Sequence, residues 1–299
     1  MTTAVKKRMR QSLLGTAHSC QYRLNYVLDP NVPYTTGVVR ALGTAIHAGH
    51  EAYYANRQET GDVVSSPDQV QEWKNAAFRS FDSELSKVEG VVFDWVYQPK
   101  TARKEYLRLD RSKAKEMIGR SIDLYHDKEY YWDEDHQVLA VEWDFNLPLE
   151  GFEDWDLSGT LDLLLRHIPT GNIKCVDHKN VKAPPAKNKY AAHKTPQAAF
   201  YLHAVSSWLQ ELGIETQEAP TFWYDVLAFD GSGFWRFEEV RDQQQIAVTI
   251  SQAEMLATLI DKDGPYLPNT ESFLCSESYC DFWHMCPFGD TLHKQPTSK

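Results

Sequence analysis

Hydrophobic positions change their period part-way along the chain, and that change organises everything else. Through roughly the first 130 residues they recur at helical spacing. Residues 4–27 read as helical, and residues 36–58 as a clearer helix, with Val39, Leu42, Ile46 and Tyr53 on one stripe. Residues 67–88 and 102–131 read as two further helices rich in charge. From 137 to 149 the period becomes two: Leu139, Val141, Trp143, Phe145, Leu147 and Leu149 take alternate positions, the mark of a half-buried strand. Residues 159–167 and 172–180 read as two more strands, and Ile168-Pro169-Thr170-Gly171 as the tight turn that joins them into a hairpin. Thr195-Pro196 opens a helix, with Thr as N-cap and Pro at the first helical position, and Gly213 closes it. Strands near 220–228 and 234–240 and a helix over 242–262 follow. There is no internal repeat and no long low-complexity linker. This order predicts an α/β fold with a helical N-terminal half.

Composition narrows the class. The 299 residues are 42% hydrophobic and 12% aromatic, as in a packed globular protein, and suffice for one large domain or two small ones. No run of 18 apolar residues predicts a membrane span, and the basic N-terminus carries too short an apolar run for a signal peptide, which points to the cytoplasm. A net charge of -11 argues against a protein that coats DNA through bulk charge, yet leaves room for an enzyme with a local basic groove and an acidic metal site. Five cysteines without a secretion signal disfavour a disulfide scaffold.

The hairpin carries the candidate chemistry. Residues i and i+2 of a strand share a face, so Asp177 and Lys179 project together and His178 points away. Asp162 sits on the partner strand. A two-residue loop at Pro169-Thr170 would set it opposite Asp177, with Cβ atoms about 5 Å apart; a loop bulged at Gly171 would shift the register by one. Carboxylates this close repel unless a cation bridges them. Oxygen ligands suit Mg²⁺ or Mn²⁺, and an adjacent lysine can orient water and stabilise charge on a phosphate. Glu142, on the polar face of the preceding strand, reads equally as an exposed strand residue or as a further carboxylate of this site. Cys275, Cys280 and Cys286 lie among Tyr279, Phe282, Trp283 and Pro287, a setting better explained by metal ligation than by buried thiols, and thiolates bind zinc or iron–sulfur clusters.

A G-x-x-D strand, a short hairpin and D-x-K resemble the core of PD-(D/E)XK nucleases, the RecB-type branch in particular, together with CRISPR-associated adaptation nucleases and phage exonucleases. Three accompanying features match in order along nearly the whole chain. His47, in Gly43-Thr44-Ala45-Ile46-His47, resembles the helical metal ligand. Gln197 and Tyr201 match a Q-x-x-x-Y helix. Cys20 with Cys275, Cys280 and Cys286 is similar to a four-cysteine 4Fe–4S set, although C-x4-C-x5-C departs from the commonest spacing. The resemblance implies a single domain over 1–299, with a mixed central sheet flanked by helices as in restriction endonucleases. It also implies a helical insertion at about 60–135 and a cysteine-rich C-terminal tail stapled to Cys20 by the cluster.

It implies a DNA nuclease, acting as an exonuclease in repair, recombination or phage DNA processing. His47, Asp162 and Asp177 would hold Mg²⁺ or Mn²⁺, with Lys179 assisting the water and Gln197 and Tyr201 supporting the site. Lys182, Lys187, Lys189 and Lys194 would form an edge that contacts the nucleic-acid backbone. No G-x-x-x-x-G-K-[ST] motif is present, so an ATP site is not expected and a helicase or recombinase would be a separate partner. Three rival readings remain: a zinc site at His47, His50 and Glu51; zinc in place of the cluster; and a non-catalytic nucleic-acid-binding module with a structural metal cluster.

Overall fold

The computed structural model describes residues 6–32, 37–61, 66–87, 95–97, 107–128, 135–182, 184–185, 195–277 and 279–289. In chain order the elements are β1 (Lys7–Met9), α1 (Gln11–Ser19), a 3-10 turn (Gln21–Arg23), α2 (Leu24–Val27), α3 (Val38–Thr60), α4 (Pro67–Ser86), β2 (Val96–Tyr97), β3 (Leu107–Arg108), α5 (Arg111–Lys128), β4 (His136–Leu149), β5 (Phe152–His167), β6 (Ile173–Val181), α6 (Pro196–Glu211), β7 (Thr221–Ala228), β8 (Phe234–Glu239) and α7 (Gln243–Asp261). The sheet order is β1-β5-β6-β7-β8, with β4 also paired to β5. β1–β5 and β6–β7 are parallel, while β5–β6 and β7–β8 are antiparallel, so the sheet is mixed.

The chain forms two compact units, one of residues 35–144 and 160–242, the other of 1–34, 145–159 and 243–299. In the first, α3, α4 and α5 pack together through Leu42, Ala45, Ile46, Ala77, Phe81, Ile118 and Ile122. Gly49 makes the close approach possible, since a Cβ there would meet Ile122 Cδ1 at 2.7 Å. Farther along α3, Tyr53 and Tyr54 pack with Tyr125 of α5 on Leu163, Leu165, Val176 and Leu227 of the sheet. Neighbouring strand residues face opposite sides, so Asp177, Phe222 and Tyr224 face the other way and meet α6: Gln197 bonds Asp177, Tyr201 packs on Phe222 and Tyr224 bonds Thr195. α6 starts as its sequence predicts, the Thr195 hydroxyl accepting from the Gln197 amide and Pro196 at the first turn.

In the second unit β1 lies parallel to residues 155–157 of β5, and Asp261 of α7 accepts from both Lys7 (2.7 Å) and Trp155 (3.1 Å). Segments 22–26 and 267–282 meet here: Tyr26 stacks on Phe282 at 4.9 Å, and the Tyr22 amide bonds the Leu267 carbonyl.

Three expectations need correction. The helix over 4–27 is broken: residues 7–9 are drawn into the sheet, burying Met9, and Cys20 is extended between two helical pieces. The helix over 102–131 starts only at Arg111, because Leu107–Arg108 pairs with Val96–Tyr97. The even alternation of 137–149 fails at Glu142, whose φ of 47° lies in the left-handed region that strand residues avoid. The buried face accordingly switches parity, from Val138 before it to Phe145 and Leu149 after it.

Asp225 of β7 is fully buried and paired bidentately with Arg236 of β8, directly across the ladder, at 2.7 and 2.8 Å. Removing the carboxylate takes the bidentate partner from a partly buried guanidinium. Asp225→Ala is expected to lose about 3–5 kcal/mol in urea unfolding; a loss below about 1 kcal/mol would show that Arg236 finds water or another acceptor.

Candidate active site

The site forms where β5 and β6 part. Their Cα partners run from Arg166↔Ile173 to Leu163↔Val176. That register is the one a loop centred on Pro169-Thr170 produces, although the connection is wider: His167 and Asn172 close it, and Gly171 adopts φ +71°. Continued by one step, it sets Asp162 across from Asp177. There the backbone ladder gives way to a side chain, and the Asp162 carboxylate accepts the His178 amide at 2.7 Å. Among the described residues β5 and β6 pair no further, while the other edge of β6 stays paired to β7 as far as Val181.

Into this opening α3 delivers histidines. His47, His50 and Tyr54 stand at i, i+3 and i+7, one helical face turned to the sheet. His47 Nδ1 lies 3.5 Å from Asp162 Oδ2. The left-handed backbone of Glu142 brings a second carboxylate to the same place. Among the described residues, the group of possible ligands whose donor atoms lie within 4.8 Å of one another is His47, Glu142 and Asp162. Glu142 thus joins His47 and Asp162, two of the three residues that the resemblance implies as ligands, and a non-glycine residue held at positive φ is the kind of strain functional sites retain.

Asp177 is 2% exposed and lies beside that group, not within it. Gln197 Nε2 donates to its Oδ1 at 2.5 Å, and Lys179 Nζ approaches its Oδ2 at 2.6 Å. Gln197 also donates to Tyr201 Oη, whose hydroxyl donates to the Thr160 carbonyl of β5. The i, i+4 pair therefore braces Asp177 against the neighbouring strand. His50 stacks on the His178 ring at 4.8 Å, so it packs beneath the site, and Glu51 is outside the ligand group. Lys182 directly follows β6 and is half-buried. Lys187, Lys189 and Lys194 lie outside the described residues.

The charges conflict in a way a cation would relieve. Burial pushes the Glu142 carboxyl up to about 7, with Asp162 and Glu51 adding to it. Burial likewise raises Asp177 to about 6, opposed by Lys179 and reinforced by Asp162. Burial acts on Asp162 in the same sense, but His47, His178 and Lys179 outweigh it and hold that carboxyl below its ordinary value. Burial works against the Lys179 ammonium, and the two aspartates more than restore it.

Cys20, Cys275, Cys280 and Cys286 line one cavity of the second unit together with Tyr22, Tyr26 and Phe282. They do not form a tight ligand group, since no three of these sulfurs lie within 4.8 Å of each other. That spacing excludes a preassembled single-ion thiolate site and leaves the expected 4Fe–4S cluster without support from the sulfur positions. Cys175 is fully buried in β6 and is not among the residues that line this cavity.

The sequence profile of the PD-(D/E)XK nuclease superfamily matches residues 11–287. This chain belongs to that superfamily. Its mixed α/β sheet flanked by helices is the nuclease core. Among solved structures it is similar to a candidate exonuclease from Eubacterium rectale, with 11% identity over 90% of this chain and 87% of that one and a TM-score of 0.49. It is also similar to the protein SSO0001, with 12% identity over 93% and 95% and a TM-score of 0.34. No curated protein matches the chain. No helix among the described residues is long and apolar enough to cross a membrane.

Glu142 is the residue whose loss should be felt first at a bound ion. Glu142→Gln is expected to weaken Mn²⁺ binding about tenfold or more by titration calorimetry, while leaving the unfolding midpoint near its original value. Unchanged affinity would remove Glu142 from the ligand set.

Proposed function

We propose that this member of the superfamily is a metal-dependent deoxyribonuclease that hydrolyses phosphodiester bonds as an exonuclease. The observation that carries the reading is the convergence of His47, Glu142 and Asp162 beside the Asp177–Lys179 pair. Two carboxylates and one imidazole, with further positions available to water, fit a hard divalent cation such as Mg²⁺ or Mn²⁺. When bound, the cation would polarise a phosphoryl oxygen and make a coordinated water acidic. The remaining work falls to the chain. His47, Glu142 and Asp162 would hold the ion. Asp177 would add its charge to theirs, held in place by Gln197 and, through it, Tyr201. Lys179 keeps its proton beside two carboxylates and would orient the attacking water or neutralise charge growing on the phosphate. Lys182, Lys187, Lys189 and Lys194 would follow the DNA backbone. The exonuclease assignment, and a role in repair, recombination or phage DNA processing beside a separate helicase or recombinase, rest on the ordered set of RecB-type motifs.

Labelled linear DNA, single- and double-stranded, is the test. Cleavage is expected with Mg²⁺ or Mn²⁺ and not with Ca²⁺, whose longer bonds and higher ligand number suit the site poorly. Asp177→Ala and Lys179→Ala are each expected to slow cleavage by on the order of 10³-fold while the protein stays folded. Binding of DNA without cleavage under every metal condition would favour the non-catalytic module instead.

A 4Fe–4S cluster held by Cys20, Cys275, Cys280 and Cys286 is the second part of the proposal. The shared cavity supports it. Zinc at 2.3 Å from each thiolate would need sulfurs about 3.8 Å apart, closer than a four-iron cluster requires. Anaerobically purified protein is expected to be brown and to carry iron, and Cys20→Ala to lose both, whereas Cys175→Ala should lose neither. Colourless protein with stoichiometric zinc would replace the cluster with zinc.

A further inference from the structure

We infer that His178, held through Tyr125 and Tyr54, is a positioning residue for the Asp162 carboxylate, and that a hydrogen-bond chain starting in the helical layer sets this ligand for the metal. The inference rests on the metal-site reading above and goes beyond it. It concerns the variable residue of the D-x-K motif and a helix, α5, that contributes no member of the ligand group.

His178 is 2% exposed. Its amide donates to Asp162 Oδ2 at 2.7 Å, and its ring Nδ1 lies 3.5 Å from the same oxygen. On the far side of the ring, Nε2 is 3.1 Å from Tyr125 Oη, and Tyr125 Oη is in turn hydrogen-bonded to Tyr54 Oη. A neutral imidazole has one donor and one acceptor nitrogen, and an ionised carboxylate only accepts. A proton on Nδ1, facing Asp162, meets both conditions. Nε2 then accepts from Tyr125, and Tyr125 accepts from Tyr54. Every donor in the chain points toward the carboxylate.

The ring is fixed by more than these bonds. His50 stacks on it at 4.8 Å and Tyr54 lies nearly parallel at 5.9 Å, while Tyr125 meets it edge-on at 5.6 Å. Turning the ring would leave Nδ1 or Nε2 without its partner in a buried place where water is a poor substitute. Partners behind a metal ligand fix its orientation and basicity, and their loss weakens binding even though they never touch the ion. Here the partner reaches Asp162 twice, by backbone and by side chain. If aromatic packing were the whole role of Tyr125, a phenylalanine would serve as well.

Tyr125→Phe keeps the ring and removes only the hydroxyl, so it makes the cleanest test in the full-length protein. Calorimetric titration with Mn²⁺ is expected to show about tenfold weaker binding than wild type. At saturating Mn²⁺ the KM for linear DNA is expected to be unchanged. His178→Asn, which can place an amide nitrogen near Asp162 but cannot reach Tyr125, is expected to lose a similar factor. The double variant is expected to be no worse than His178→Asn alone, because both act through one path. Wild-type Mn²⁺ affinity in Tyr125→Phe would overturn the inference whatever its melting temperature, and so would additive losses in the double variant. Wild-type protein that binds no Mn²⁺ would take down the metal site and this inference together, whereas wild-type binding with an unaffected Tyr125→Phe would remove only the inference.

Discussion

One hydrogen bond organises the site, the one in which the Asp162 carboxylate replaces a backbone carbonyl as the acceptor for the His178 amide. A sheet interior normally pairs each amide with the neighbouring strand. Here β5 and β6 separate after Leu163↔Val176, and the side chain takes over. The substitution satisfies a buried donor and ends the β5–β6 ladder. It also fixes a carboxylate at the mouth of the opening, within reach of α3. His47 and Glu142 then need only approach a carboxylate that the sheet has already placed. β6 stays a strand, because its ladder to β7 continues unbroken to Val181.

The same arrangement explains how an acidic cluster persists inside a chain with net charge -11. Glu142 and Asp177 are both pushed toward the protonated form, chiefly by burial, while Asp162 is held ionised by the surrounding imidazoles and Lys179. Unequal environments thus divide the carboxyls into one anchored anion and two that would give up protons more readily with a cation present. Asp225 and Arg236 meet the burial problem differently, through a bidentate pair. That pair is complete in itself, whereas the Asp162 cluster is satisfied only in part.

Much of this was legible in the sequence because strand parity and helical spacing are strict. Parity alone puts Asp177 beside Lys179, and the two approach to 2.6 Å. The i, i+4 spacing of Gln197 and Tyr201 implies one helical face, and both brace Asp177. The hairpin register was left open between two loops, and the structure takes the one centred between Pro169 and Thr170. Glu142 was not decided, since nothing in its sequence signals a left-handed residue: glycine or asparagine would, glutamate does not. That one dihedral flips the parity of β4 and turns an outward residue inward. The backbone of His178 was hidden for a related reason. Its ring does face away from Asp177, but parity says nothing of its backbone amide. The breaks in the first and fourth helices come from sheet pairing by segments too short to show a period.

A crystal grown with Mn²⁺ and measured at a wavelength where manganese scatters anomalously tests the account most directly. It predicts an anomalous peak bounded by His47, Glu142 and Asp162, with the Asp162–His178 amide bond intact beside it. A peak coordinated by Asp177 without Glu142, or no peak in this opening at saturating Mn²⁺, would contradict the geometry on which the mechanism rests.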